Sequence, residues 1–264
     1  MDNRKIKFEK IKNARELGGL PAADGKCIKH DLLIRCGHIG KATENDIRLL
    51  QNKYHLRNIV DLRIDAEINA DPDVNVPDAE YENLSVLDSS IFGIARDRYS
   101  LESWLELFRN EPGNPEKVFG EMYHRILFSD HVVPFVKRFF DILLENKNGA
   151  VLWHCSAGKD RAGVMTVLVL SALGVPENEI VADYLLTGET SRKDIRHMKL
   201  LLPFKFKDKN IRKCVYVLLD VRERYIRDIL AEVKRDYGDM EQFLNKRFGI
   251  TKDQIVQLRK KYLE

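Results

Sequence analysis

The sequence predicts an α/β fold, an open sheet with helices packed over it. Short β-like runs recur at Leu32 to Arg35, Asn58 to Leu62, Tyr81 to Leu87 and Ala150 to His154. Segments with apolar residues at helical spacing alternate with them, the arrangement that covers a sheet with helices. The stretch from Val164 to Leu173 is apolar nearly all round and follows a strand directly. Such a helix belongs at the centre of a domain.

Taken in order, Thr43 reads as the N-cap of a helix carrying Ile47, Leu49 and Leu50. From Tyr99 to about Asn148 the pattern is helical, broken at Asn110-Glu111-Pro112-Gly113-Asn114-Pro115. Leu101, Trp104, Leu105 and Phe108, then Val118, Met122 and Ile126, fall at helical spacing and read as core stripes. Gly174 and Pro176 suit the stop of the apolar helix. From Asn210 to Glu264 the chain reads as helical and charged, with breaks at Tyr237-Gly238-Asp239 and at Gly249. No repeat, low-complexity tract or clear linker interrupts it, so a single domain over 1–264 is expected, with a helical tail from about 210.

A chain of 264 residues, 44% hydrophobic and 32% charged, has the composition of an ordinary globular protein with a sizeable core. Its net charge of +3 argues against a nucleic-acid partner. The basic N-terminal residues lead into no apolar run, so no secretory leader is read. No segment reaches the roughly 18 apolar residues of a spanning helix, so no stable membrane insertion is expected. Cys27, Cys36, Cys155 and Cys214 are too dispersed for a disulfide framework. A reduced, cytoplasmic protein is the expectation; the sequence gives no oligomeric state. The basic stretch Arg192, Lys193, Arg196, Lys199, Lys205, Lys207 and Lys209, interleaved with Leu200-Leu201-Leu202 and Phe204, reads as a solvated helix face with its core stripe, in preference to a contact with anionic membrane.

The chemistry concentrates in His154-Cys155-Ser156-Ala157-Gly158-Lys159-Asp160-Arg161, between a buried strand and a buried helix. Five residues separate Cys155 from Arg161. A loop of that length, closing onto a helix N-terminus, can turn its backbone N–H groups inward around a tetrahedral dianion. The phosphate-binding set would be Ser156, Ala157, Gly158, Lys159, Asp160 and Arg161, the last adding a bidentate fork. The positive field would hold Cys155 as a thiolate, able to attack phosphorus in line and form a phosphocysteine that water hydrolyses. Gly158 permits a turn that a β-carbon would obstruct.

This segment resembles the H-C-x-x-G-K-D-R loop of the atypical bacterial tyrosine-protein and phosphoinositide phosphatases. Asn13-Ala14-Arg15-Glu16-Leu17-Gly18-Gly19 is similar to that family's N-x-R-D-L-G-G, with Glu16 in place of Asp, and Asp61-Leu62-Arg63 to its D-L-R strand end. The tail around Tyr237-Gly238 and Phe248-Gly249-Ile250 is also similar. The resemblance implies the tyrosine-phosphatase fold, no metal or cofactor, and phosphorylated proteins or phosphoinositides as substrates. It implies action on phosphotyrosine, with phosphoserine, phosphothreonine and phosphoinositides as further candidates. It also suggests a lid-like helical insertion at about 90–130. One departure is Ala162, where related enzymes often carry the hydroxyl residue that aids phosphocysteine breakdown.

Two carboxylic acids are candidates for protonating the leaving oxygen: Asp88, after the apolar run Leu84 to Leu87, and Asp160 within the loop. Lys159 is expected either as a mobile charge at the mouth of the site or as a solvated side chain. Asp61 or Glu16 is expected to orient Arg161 or Arg15, and His154 to tune Cys155. Asn13, Arg15 and Arg63 are read as structural hydrogen-bonding groups.

Competing readings are weaker. A nucleotide-binding loop would need Gly at 153 and Ser or Thr at 160, where Trp and Asp stand. Cys27, His30, Cys36 and His38 lack the paired spacing of a zinc site. A rhodanese-like sulfurtransferase, or a non-catalytic phosphate-binding module, remains an alternative at this level.

Overall fold

The computed structural model describes residues 4–87, 115–190 and 192–264. Its five strands are β1 (Arg15–Glu16), β2 (Leu33–Cys36), β3 (Asn58–Asp61), β4 (Glu80–Asn83) and β5 (Val151–His154). They form one sheet in the order β1-β2-β5-β3-β4. Only β1 runs antiparallel, against β2; the other pairings are parallel. The last strand in sequence therefore sits in the middle, between β2 and β3. Ligands in such sheets bind beyond the carboxyl ends of the strands, where the order switches.

Alternation along the inner strands buries both faces, as parallel strands require. Leu33, Val60, Val151 and Trp153 face the larger core, which most of the helices build. Ile34, Ile59 and Leu152 face a smaller core with Leu50, Tyr54 and Leu56. Helix α1 (Glu44–Asn52) covers that smaller side and begins at a capping box between Thr43 and Asp46, as its N-cap residue predicts. Helix α2 (Asp65–Ala70) follows β3 directly.

The larger side carries α3 (Pro115–Phe128), α4 (Val133–Glu145), α5 (Arg161–Ala172), α6 (Glu177–Thr190), α7 (Arg192–Lys205), α8 (Lys209–Leu219), α9 (Glu223–Tyr237), α10 (Met240–Phe248) and α11 (Lys252–Tyr262). Every residue of α5 except Ser171 is buried, in keeping with its all-round apolarity. The Trp153 indole donates to Thr166 Oγ1 (3.0 Å) and to the Ala162 carbonyl (3.3 Å), which ties β5 to α5. Glycines with positive φ follow the helices where the sequence predicts breaks: Gly174, Gly238 and Gly249.

Two segments depart from the pattern expected of the sequence. The run Tyr81 to Leu87 leaves the sheet after Asn83, because its partner β3 ends at Asp61 and turns into α2. Asn83 Nδ2 caps that end with bonds to the carbonyls of Asp61 and Arg63, both 2.9 Å. Second, the described part of the expected lid-like insertion is a core helix, α3, with Phe119, Met122, Tyr123, Ile126 and Leu127 buried. Asp88 and the helical stretch from Tyr99 to Asn114 lie outside the described residues.

Gly149 shows how the central strand is entered. It has φ of +83°, and a Cβ there would lie 1.9 Å from the His55 carbonyl oxygen. Gly25 has a similar φ of +70° with nothing within 4 Å. Gly25→Ala should cost about 1 kcal/mol, the left-handed penalty alone. Gly149→Ala should cost on the order of 3 kcal/mol or more, because backbone must move. Equal shifts of the two urea midpoints would show that His55 yields freely.

Candidate active site

Cys155 is the first residue beyond β5 and is 2% exposed. The loop it opens closes at Arg161, the first residue of α5. Ser156 and Ala157 are exposed and form its rim, whereas Gly158 and Lys159 are buried.

The loop's carbonyls are bound on its outer side. Ser156 O accepts the His38 amide (3.2 Å), Ala157 O accepts Asn13 Nδ2 (3.1 Å), and Gly158 O accepts Asn13 Nδ2 (2.9 Å) and Arg35 Nη2 (2.8 Å). Arg35 Nη2 also reaches Lys159 O (3.3 Å). In a planar trans peptide the C=O and the following N–H point in opposite directions. Holding these carbonyls toward His38, Asn13 and Arg35 therefore turns the amides of Ala157, Gly158, Lys159 and Asp160 to the opposite side of the loop. Gly158, at φ +66°, allows the turn: a Cβ there would stand 2.3 Å from the Cys36 carbonyl oxygen. The result is a nest of N–H dipoles suited to an anion.

The outer clamp has its own anchor. Arg15 and Arg35 are register partners across β1 and β2, and adjacent like charges repel. Asp183, in the middle of α6, compensates both: Arg15 Nε and Nη2 donate to its carboxylate at 3.0 and 3.1 Å, and Arg35 Nη1 at 3.0 Å. Arg4 adds a contact at 2.9 Å. Burial would raise the Asp183 carboxyl, but Arg15 and Arg35 outweigh it and hold it well below the ordinary aspartate range. Burial, then the charge of Arg15, pushes Arg35 down to about 10 against the pull of Asp183. Arg15 Nη1 also fixes Asn13 Oδ1 at 3.0 Å, which leaves the amide nitrogen of Asn13 for the loop.

Arg161 is oriented by Glu67, in the first turn of α2. Its Nη1 and Nη2 lie 2.5 and 2.8 Å from the two carboxylate oxygens. Ser156 Oγ also donates to Glu67. Burial raises the Glu67 carboxyl, yet Arg161 and the hydrogen bonds to it bring the net shift below the usual range.

Several expectations need correction. Asp61 does not orient Arg161; it binds Arg63 Nε (3.0 Å) and Nη2 (2.8 Å) and accepts the Tyr81 hydroxyl (2.8 Å). Glu16 orients neither arginine, and instead binds the Asp31 amide (2.7 Å) and His30 Nδ1 (3.1 Å). Both acids lie nearer to other donors created by the strand ends. Lys159 is neither mobile at the mouth nor solvated: its ammonium donates to the carbonyls of Leu218 (2.6 Å) and Asp220 (2.9 Å) and lies over the Phe119 ring. The C-terminal carbonyls of α8 and an aromatic face attract it there. His154 is fully buried, with Nε2 3.0 Å from Asp73 Oδ2 and Nδ1 3.9 Å from Asp61 Oδ1. Asp160 accepts the Tyr123 hydroxyl, which lies 2.5 Å from that of Tyr184, and sits 3.5 Å from the Lys159 ammonium.

Arg35, Glu67, Asp183 and Tyr123 escape the sequence reading. The available signals were faint: Asp183 stands among Ile180, Val181, Ala182, Tyr184 and Leu185, where a lone carboxylate implies a buried cation. Glu67 sits in the first turn after a strand end, at a capping position.

Removing the Asp183 charge should unlock this clamp. Asp183→Asn should lower stability by about 3–5 kcal/mol, the cost of leaving buried cations uncompensated. Because the native carboxyl is depressed, its contribution is complete above the unfolded aspartate value of about 3.9 and is lost as pH falls from there through the native value. The stability gap between native and variant protein should thus be constant near neutrality and narrow below about pH 4. A gap independent of pH down to acid unfolding would contradict the charge assignment.

The model of the tyrosine phosphatase family matches residues 6–264. A Cupriavidus necator protein named "Putative tyrosine-protein phosphatase" is 26% identical over 263 residues, 98% of this chain and 88% of that protein. A tyrosine-protein phosphatase of Nostoc commune is 29% identical over 170 residues, 64% of this chain and 52% of its own. A triple specificity protein phosphatase of Mycobacterium tuberculosis is 28% identical over 117 residues, 41% of this chain and 42% of its own. With the match running through both the clamp and the loop, the chain belongs to the tyrosine phosphatase family and is a protein-tyrosine-phosphatase-like hydrolase.

Proposed function

We propose that this chain hydrolyses phosphotyrosine through a phosphocysteine on Cys155, with phosphoserine, phosphothreonine and phosphoinositides as further substrates. The observation that carries the reading is the outward capture of the loop carbonyls over Cys155, with Arg161 at the loop's end. Amides aimed at one point stabilise the equatorial oxygens of a phosphoryl group in flight, with no reorganisation at the moment of reaction. Arg161, positioned by Glu67, supplies a planar fork for two of those oxygens. The thiolate of Cys155 attacks phosphorus, the P–O bond to the leaving group breaks, and the leaving oxygen takes a proton from a carboxylic acid. Water then attacks the phosphocysteine, releasing phosphate and restoring the thiolate.

Asp160 and Asp88 are the candidate acids. Support for Asp160 is that the Tyr123 hydroxyl fixes it at the loop's edge; Asp88 is favoured by its place after the apolar run Leu84 to Leu87. Ala162 is fully buried, and the hydroxyl one helical turn on, Thr166 Oγ1, donates back to the Ala162 carbonyl at 2.6 Å. Neither position offers a hydroxyl to the second step, so we read dephosphorylation of the cysteine as the slower half-reaction. We read the whole of 1–264 as one catalytic unit.

Cys155→Ser should reduce turnover of phosphotyrosine peptide at least about a thousandfold, the scale of losing a covalent nucleophile, while activity of the native protein survives chelator. Persistence of turnover in Cys155→Ser would refute the mechanism. A group that must be protonated to act gives a kcat that falls as pH rises through its pKa. Of Asp88→Asn and Asp160→Asn, the variant that loses this fall identifies the donor. If both retain it, neither residue is the acid.

A further inference from the structure

Helix α7 presents an apolar ridge to solvent that the core does not use. Leu200 is 68% exposed, Phe204 83% and Leu201 39%, while Leu202 on the opposite side is 5% exposed. These are three of the five large apolar side chains standing exposed among the described residues. Leu200 and Phe204, four apart, share one side of the helix with Leu201 beside them. Core packing accounts for Leu202 and leaves the ridge unexplained.

The charge around the ridge is one-sided. From Arg196 to Lys213 the sequence holds seven Lys and Arg against a single acid, Asp208, although the whole chain has a net charge of only +3. Lys207, Lys209 and Lys213 are exposed. Lys199 lies with its ammonium 5.7 Å from the centre of the Tyr216 ring, which joins α7 to α8. An apolar ridge flanked by lysines suits a surface with an apolar interior and anionic headgroups. It does not suit a second copy of the same face, which would bring the like charges together.

We propose that α7 docks this chain onto an anionic lipid bilayer, with Leu200, Leu201 and Phe204 entering the acyl boundary and the lysines at the headgroups. Among the described residues no helix is long and apolar enough to cross a membrane, so the contact is peripheral. It is also coupled to the active site: α8 packs against α7, and the carbonyls of Leu218 and Asp220 at its end hold Lys159 of the catalytic loop. This inference stands or falls separately from the phosphatase chemistry.

The test is co-sedimentation of the full chain with phosphatidylcholine vesicles, with and without phosphatidylserine. The native protein should pellet with the anionic vesicles and be released by high salt. Leu200→Ser/Phe204→Ser should weaken binding at least about tenfold, since two large apolar side chains lose their burial. Lys207→Glu/Lys209→Glu should cost roughly fivefold for each lysine lost. Both pairs should keep native turnover of p-nitrophenyl phosphate, which separates lost docking from lost folding; if the ridge pair unfolds, the lysine pair carries the test. Native protein left in the supernatant with anionic vesicles would overturn the proposal, as would unchanged binding by the folded lysine pair. Self-association that the ridge variant abolishes, without vesicle binding, would assign the ridge to a second copy instead.

Discussion

The carboxylate of Asp183 allows two arginines to lie side by side next to the loop from Cys155 to Arg161. In a fully buried setting, Arg15 and Arg35 on neighbouring strands would repel strongly, since little solvent screens them. One shared anion removes that conflict and also fixes the direction of each guanidinium. Arg15 Nη1 is left to point at Asn13, and Arg35 Nη2 at the loop carbonyls. Loop shape is thus tied, through Arg35 and Asn13, to a charge pairing outside the loop. A salt bridge of this kind contributes to specificity of geometry more than to net stability, because desolvation offsets much of its attraction.

The loop from Cys155 to Arg161 has a second set of fixings. Glu67 holds the Arg161 fork and Ser156 together, and Lys159 is drawn down to the end of α8. The sole lysine of the loop is thereby committed to internal carbonyls. A preference for polyanionic substrates would need charge from outside the loop, such as that of the exposed Lys207, Lys209 and Lys213.

Much of the fold was legible because its signals are local. The apolar run of β5, the all-round apolar α5, the Thr43 cap and the stops at Gly174, Gly238 and Gly249 each follow from a few neighbouring residues. The two-residue strand β1 carried no periodic signal, and the exit of the chain after Asn83 depended on where β3 ended. The same distinction governs the site. Cys155, Gly158 and Arg161 stand in one contiguous motif with one geometric purpose. Their partners Arg35, Glu67 and Asp183 are far apart in sequence and meet only once the sheet order is known. Asp61 and Glu16, chosen for their motif positions, were drawn to closer donors instead. Nearest available partner in space, not place in a motif, decides an ion pair.

The loop's outer contacts are complete within the chain itself: each carbonyl from Ser156 to Lys159 already has a donor. A receptacle assembled before its guest arrives forfeits little ordering entropy on capture. That advantage does not discriminate between an incoming ester and the orthophosphate left after hydrolysis, since both present the same tetrahedral face. On the function proposed above, orthophosphate would therefore compete with substrate for the loop, and added phosphate would slow turnover.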